Sequence, residues 1–271
     1  MKGPAPHPRP RPTDWSGVAD WYDELVGPTG SEYHQKVVLP GTLRLLQSEA
    51  GQSILDLACG QGVLCRLLAE RGVRVTGVDS AAPLLERARE LNASLSPQSK
   101  PLIRYIRGDA RDLSSLGLEA ASFDSAACVL AIQNIHPIAP VFEGVARCLK
   151  PGGRFVIVMM HPCFRGPKET SWGWDEQQKM QYRRVDRYLR PRKSPIVAHP
   201  GRKDGRYTWT FHRPLQEYVR TLARAGLLVD AMEEWPSHKK SDSGPRARAE
   251  NVSREEIPMF LAMRGVNSST V

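Results

Sequence analysis

Three acids and two glycines in the first half of the chain have the types and spacing to work together on one ligand. The first group is Leu55-Asp56-Leu57-Ala58-Cys59-Gly60-Gln61-Gly62. Glycines that close a short apolar run let backbone amides approach a ligand at the carboxyl edge of a sheet. Asp79 lies 19 residues beyond Gly60, about where a nucleotide-binding sheet places the acid that bonds ribose hydroxyls. Asp109, in Gly108-Asp109-Ala110, can accept a hydrogen bond from an adenine amino group. Asp56 beside the glycine turn would repel a pyrophosphate but suits an ammonium group. Cys65 stands where G-x-G-x-x-G has its third glycine, which also argues against a dinucleotide.

Two histidines are candidate catalytic groups. An imidazole at a sheet's carboxyl edge can take a proton or hold an acceptor hydroxyl. His161 directly follows an apolar run, and His212 sits in Phe211-His212-Arg213-Pro214 ahead of a helical pattern. His161 also reads as a turn histidine bonded to backbone, and His212 as a helix-start histidine, in either case without chemistry. Trp172, Trp174 and Trp209 could form an apolar acceptor pocket, a cation–π site, or a small core of their own.

The elements that must position these residues alternate between two periodicities. Runs at 53–57, 73–79, 103–106, 123–130 and 154–160 read as strands, the fourth apolar enough to be buried on both faces. Helical spacing covers 63–71, the stretch after Ser80 (a capping residue, with Pro83 in the first turn), and 140–149. This order predicts a parallel sheet with right-handed crossovers. A helix over 214–225 and strands over 227–235 and 257–263 follow, with a polar mobile loop expected over 236–254. The 161–213 segment, rich in Trp, Arg, Pro and Gly, is too long for a passive connection and is expected to be a lid or substrate-binding insertion.

The pieces LDLACGQG (55–62), VTGVDS (75–80), GDA (108–110), FDSAACVLAIQNI (123–135) and LKPGGRFVIV (149–158) resemble, in order and spacing, the class I S-adenosylmethionine-dependent methyltransferases. The resemblance is to the small-molecule, type 11 branch related to ubiquinone and menaquinone methyltransferases. It implies a Rossmann-like α/β fold with a mostly parallel seven-stranded sheet and helices on both faces. It implies S-adenosylmethionine as cofactor and S-adenosylhomocysteine as product. Ala58, Cys59, Gly60 and Gly62 would line the methionine portion with Asp56 nearby, and Asp79 and Ser80 would meet the ribose. Asp109 and Ala110 would flank the adenine, and Cys128 and Val129 would lie under the methionine chain. Tyr22 and Tyr33, from an aromatic segment that also holds Trp15 and Trp21, would close over the cofactor near its carboxylate. The resemblance stops short of the Asn/Asp-Pro-Pro-Tyr/Phe signature of enzymes that modify DNA bases or protein glutamine; here the chain reads Val129-Leu130-Ala131-Ile132.

The expected organisation is a flexible Pro/Arg-rich tail (1–14), a helical cap (15–50), a cofactor-binding core (51–160), the basic insertion (161–213) and a C-terminal part completing the sheet (214–271). The net charge is +9. The insertion holds 13 Lys/Arg against 5 Asp/Glu, so most of the excess is local. Such a block can attract an anionic small molecule or nucleic acid, or be a solvated surface. Five scattered cysteines lack zinc spacing and read as reduced thiols. No run is long and apolar enough for a membrane span, and the proline-rich start lacks the apolar core of a secretory signal, so the expected location is cytoplasmic. The leading expectation is transfer of a methyl group to O, N or C of a partly aromatic small molecule, by a chain that could form a homodimer. An RNA methyltransferase using the basic insertion is the alternative, and a non-catalytic cofactor-binding module is a third.

Overall fold

The computed structural model describes residues 15–198 and 206–268. The tail expected over 1–14 lies outside the described residues, as does the 199–205 stretch of the insertion.

An N-terminal cap consists of α1 (Ala19–Val26), a wider turn at His34–Val38, and α2 (Leu39–Leu46). Five β-strands then alternate with helices: β1 (Ser53–Leu57), α3 (Val63–Ala69), β2 (Arg74–Asp79), α4 (Ala82–Leu91), β3 (Ile103–Arg107), β4 (Phe123–Val129), α5 (Ala139–Cys148) and β5 (Leu149–Met160). Two antiparallel hairpins follow, β6 (Thr170–Asp175) with β7 (Met180–Val185), and β8 (Arg192–Val197) with β9 (Tyr207–His212). The chain ends with α6 (Leu215–Arg224), β10 (Leu227–Trp235), α7 (Ala247–Glu256) and β11 (Phe260–Asn267).

The main sheet has seven strands in the order β10-β11-β5-β4-β1-β2-β3. Strands β1 to β5 pair in parallel, whereas β11 is antiparallel to both β5 and β10. The central strands of the sheet are buried on both faces. Phe155, Ile157 and Met159 of β5 join one core with α5 and α6, while Val156 and Val158 join the other with α2 and α3. That double burial explains why the central strands read as near-continuous apolar runs rather than alternating ones. The strand order reverses between β1 and β4, with β1 connecting outward to β2 on one side and β4 leading toward β5 on the other. In an open parallel sheet, the crevice beyond the carboxyl ends at such a switch point is where ligands bind.

The Rossmann-like seven-stranded arrangement matches the sequence expectation; two details do not. The 236–254 stretch is not all loop, because α7 begins at Ala247. The α7 helix is tied to the first hairpin by Ser253 Oγ donating to the Gln181 carbonyl at 2.8 Å and by the Arg246–Glu176 ion pair at 3.0 Å. Ser80 does not cap α4; the Asp79 carboxylate accepts the Ala81 N–H at 2.8 Å instead. Among the described residues no helix is long and apolar enough to cross a membrane.

Candidate functional site

A cavity of about 620 Å³ opens at the switch point, lined by the ends of β1, β2 and β4 and by the second hairpin. Its size falls within the roughly 300–1,000 Å³ usual for small-molecule sites. One wall is the glycine turn. Ala58 (φ 52°), Gly60 (φ 55°) and Leu130 (φ 54°) all line the cavity in left-handed conformations. Two of them are non-glycine residues, for which that backbone costs energy, and such strain concentrates at functional sites.

Asp79, at the end of β2, is buried, and its two oxygens accept the N–H groups of Gly60 and Ala81, both at 2.8 Å. Burial raises its pKa despite these bonds. Tyr22 from α1 closes over the turn, so near that a Cβ on Gly60 would meet its ring at 3.3 Å. Trp15 packs edge-on against Tyr22 with ring centres 5.6 Å apart. Burial, together with Asp79 and Asp56, pushes the Tyr22 phenol well above its usual range, so it remains a neutral donor.

Of the residues singled out from sequence, Tyr22, Ala58, Gly60, Asp79, Ser80, Asp109, Ala110, Val129 and His212 line this cavity. Asp56, Tyr33, Cys59, Gly62, Cys128 and His161 do not. Asp56 is buried behind the turn, where its carboxylate accepts from the Cys65 thiol at 3.1 Å. Burial pushes its pKa up to about 7. Gly62 (φ 75°) is required by packing, since a Cβ there would lie 2.1 Å from the Tyr105 hydroxyl. Cys59 and Cys65 flank Gly77, and Cys128 is wholly buried in the core. Tyr33 turns away, bonding Ser237 Oγ at 3.0 Å and packing edge-on against Phe260.

His161 is fully engaged elsewhere. Its Nδ1 accepts the Cys163 N–H at 3.2 Å, so Nε2 carries the proton and donates to Glu234 at 2.7 Å. No lone pair is left for a base. His212 has a different arrangement: Nε2 lies 2.7 Å from the Tyr188 carbonyl, must donate to it, and leaves a lone pair on Nδ1, on the side of Gly166.

The opposite wall was largely missed from sequence. It includes His136, after β4, and Pro191, Lys193 and Phe211 from the second hairpin. Thr210 Oγ1 donates to the Gln133 carbonyl at 3.3 Å and ties the hairpin to the loop after β4. Asn134 also lines the cavity, and its buried Oδ1 has no hydrogen-bond partner among the described residues. Arg111 joins the two walls. It chelates Asp109, with Nε 3.0 Å from both carboxylate oxygens, and donates through Nη1 to the His136 carbonyl at 2.9 Å. The Arg111 guanidinium holds the Asp109 carboxyl below its ordinary range.

The insertion's tryptophans sit under the protein's own cations. Arg165 and Arg183 cover Trp172 at 5.3 and 4.9 Å, Arg246 covers Trp174 at 4.5 Å, and Lys193 covers Trp209 at 3.9 Å. All five cysteines are free thiols, three of them buried.

Residues 55–157 match the family described as a methyltransferase domain. The chain is 33% identical over 180 residues to an uncharacterized methyltransferase of Synechocystis, covering 59% of this chain and 77% of that one. It is 33% identical over 108 residues to a ubiquinone biosynthesis O-methyltransferase of Xylella fastidiosa (40% of this chain, 42% of the relative). A Coxiella burnetii protein of the same description is 26% identical over 157 residues (57% and 62%), so the chain spans about half the length of these two relatives. Among solved structures, an S-adenosylmethionine-dependent methyltransferase from Mesorhizobium loti aligns with a TM-score of 0.66 and 29% identity over 89% of this chain and all of that one. With the carboxyl-edge cavity, the glycine turn and the acid that holds it, these likenesses identify the chain as a member of the class I S-adenosylmethionine-dependent methyltransferases.

Proposed function

We propose that this enzyme methylates a small, partly aromatic acceptor held between the glycine turn and the β8–β9 hairpin. The observation that carries the reading is that one cavity has two unlike walls: Gly60, Asp79 and Ala110 on one side, and His136, Lys193 and Phe211 on the other.

The first wall fits the cofactor by its chemistry. It offers a buried acid at the end of β2, a turn whose backbone faces the cavity, and apolar Val78, Leu84 and Ala110. Its acids would repel a pyrophosphate. We assign Asp79 and Ser80 to the ribose, Gly108, Asp109 and Ala110 to the base, and Ala58, Gly60 and Val129 to the methionine portion, with Tyr22 as cover. When bound, the cofactor supplies an activated methyl group. The chain's own contribution is to orient the acceptor in line with that methyl and to exclude water, which can supply much of the rate. Where the acceptor must lose a proton, His212, the cavity-lining member of the two histidines singled out from sequence, is the group we assign to take it.

The 161–213 insertion contributes to the acceptor wall through its second hairpin. The first hairpin rests on α7 instead. The basic residues there carry less free charge than their number suggests. Arg192 pairs with Glu169, Arg184 with Asp186 and Lys179 with Glu176. That pairing favours a small-molecule site over an RNA track. Isothermal titration of S-adenosylmethionine and S-adenosylhomocysteine, followed by an acceptor screen read as S-adenosylhomocysteine release, tests the reading. Turnover of small aromatic compounds supports it, and turnover of RNA alone overturns it.

A further inference from the structure

Most cations around the acceptor wall already face a carboxylate. Arg111 is chelated by Asp109, Arg192 pairs with Glu169, and buried Arg213 faces Glu217 at 3.5 Å. Lys193 is the exception. Among the described residues it has no acidic partner, and its Nζ lies 3.9 Å from the Trp209 ring centre and 5.8 Å from that of Phe211. Aromatic faces hold an ammonium in place without neutralising it.

His136 stacks on the same Phe211, ring centres 5.1 Å apart and planes 22° from parallel. Its Nδ1 lies 3.1 Å from Arg213 Nη2. A guanidinium has donors only, so Nδ1 must be the acceptor and the ring proton must sit on Nε2. The arrangement is held on several sides. Arg213 Nη2 also donates to the Ile135 carbonyl at 2.6 Å, and Arg111 fixes the His136 carbonyl. Burial, then the charge of Arg213, keeps the His136 pKa below its ordinary value, so the ring is neutral near pH 7.

We propose that His136 and Lys193 form the recognition site for one negative charge on the methyl acceptor, an aromatic carboxylate, with His136 acting as a fixed Nε2–H donor and not as a base. This rests on the small-molecule reading above and names the class of molecule. One ammonium without an acidic partner and one neutral donor, both lining the same cavity, match a monoanion. A phosphate dianion calls for a second unpaired cation, and the three nearby arginines each already face an acid. Glu217, in the same wall, adds repulsion against a dianion. The aromatic part of the acceptor follows from the flat apolar surfaces of Phe211, Trp15 and Ile135 around the same space.

The test titrates benzoate, benzamide and phenyl phosphate into protein saturated with S-adenosylhomocysteine. Benzoate should bind about tenfold or more tightly than benzamide, as a charge-assisted contact predicts. Lys193→Met should remove that preference by lowering benzoate affinity, while S-adenosylhomocysteine still binds. His136→Gln keeps a donor near the Nε2 position and should retain most of the preference, whereas His136→Phe should lose it. Benzamide binding as well as benzoate, phenyl phosphate binding more tightly than benzoate, or an unaltered preference in Lys193→Met would each overturn the proposal. So would failure of benzoate to bind while S-adenosylhomocysteine does. The wider reading is judged separately by the acceptor screen: turnover of any uncharged small molecule keeps it standing while this inference falls.

Discussion

Asp79 and Gly60 are joined by a 2.8 Å bond from the Gly60 N–H to Asp79 Oδ2, and through it the end of β2 fixes the turn after β1. The other oxygen holds the start of α4, so one carboxylate shapes two sides of the cavity. Asp79→Ala should weaken S-adenosylmethionine binding by about 1–3 kcal/mol, roughly 5- to 150-fold. Isothermal titration is the check, and affinity equal to wild type would remove Asp79 from the site.

Asp56 gives a pH prediction whose sign follows from burial. Its pKa rises from an ordinary 3.8 to about 7 in the folded protein. Between those values the folded state holds a proton that the unfolded state releases, so stability falls as pH rises and levels off above about 7. Asp56→Asn should remove this slope. Urea melts from pH 5 to 8 should show the mutant gaining on wild type as pH increases, most of the gain accrued by about pH 7. A constant difference would mean that Asp56 does not titrate in this range.

The two glycines of the turn should fail differently. Gly62→Ala drives a Cβ onto the Tyr105 hydroxyl in a left-handed backbone, and should cost about 1–3 kcal/mol of folding stability. Gly60→Ala meets the Tyr22 ring at 3.3 Å, a contact the side chain can relieve by tilting. It should lower cofactor affinity more than it lowers the denaturation midpoint. Equal effects of both substitutions on both readouts would contradict the separation.

The two sequence-selected histidines should also part company. For an acceptor that must be deprotonated, His212→Gln should lower kcat by about 10²-fold or more. His161→Gln breaks the contacts to Glu234 and Cys163 in a closed corner of the sheet, so it should lower stability and leave kcat within a few-fold. A kcat loss confined to His161→Gln would reverse the assignment.

The core strands were legible because their signals are local. Asp56, Gly60, Asp79 and Asp109 each sit at the end of an apolar run, and the runs share one spacing pattern. The acceptor wall gave no such signal. Strand β9 turns Thr208 and Thr210 inward, and β8 turns Ser194 inward, so buried alternation there is polar and invisible to a hydrophobic period. The α7 helix was read as loop because, of its residues Ala247–Glu256, Ser253 alone is buried. Residues such as Asp56, Gly62 and Cys128 carry the right types in the right motif, yet face the packing side of the turn. Sequence spacing placed them at the correct edge without settling which way they point. His136 and Lys193 line one cavity, and each packs on Phe211, which is remote from His136 in sequence.

The second hairpin and the residue after it meet the loop after β4 through side chains: Thr210 to the Gln133 carbonyl, Arg213 to the Ile135 carbonyl, and Phe211 stacked on His136. The hairpin's strands complete their hydrogen bonds with each other rather than with the main sheet. The scaffold is therefore suited to exchange: the β8–β9 segment can be rewritten, in evolution or by design, while the seven-stranded sheet keeps its registers and its grip on Asp79 and Gly60. Repertoire can widen in such a chain by trading one ribbon, with the cofactor-binding frame inherited unchanged.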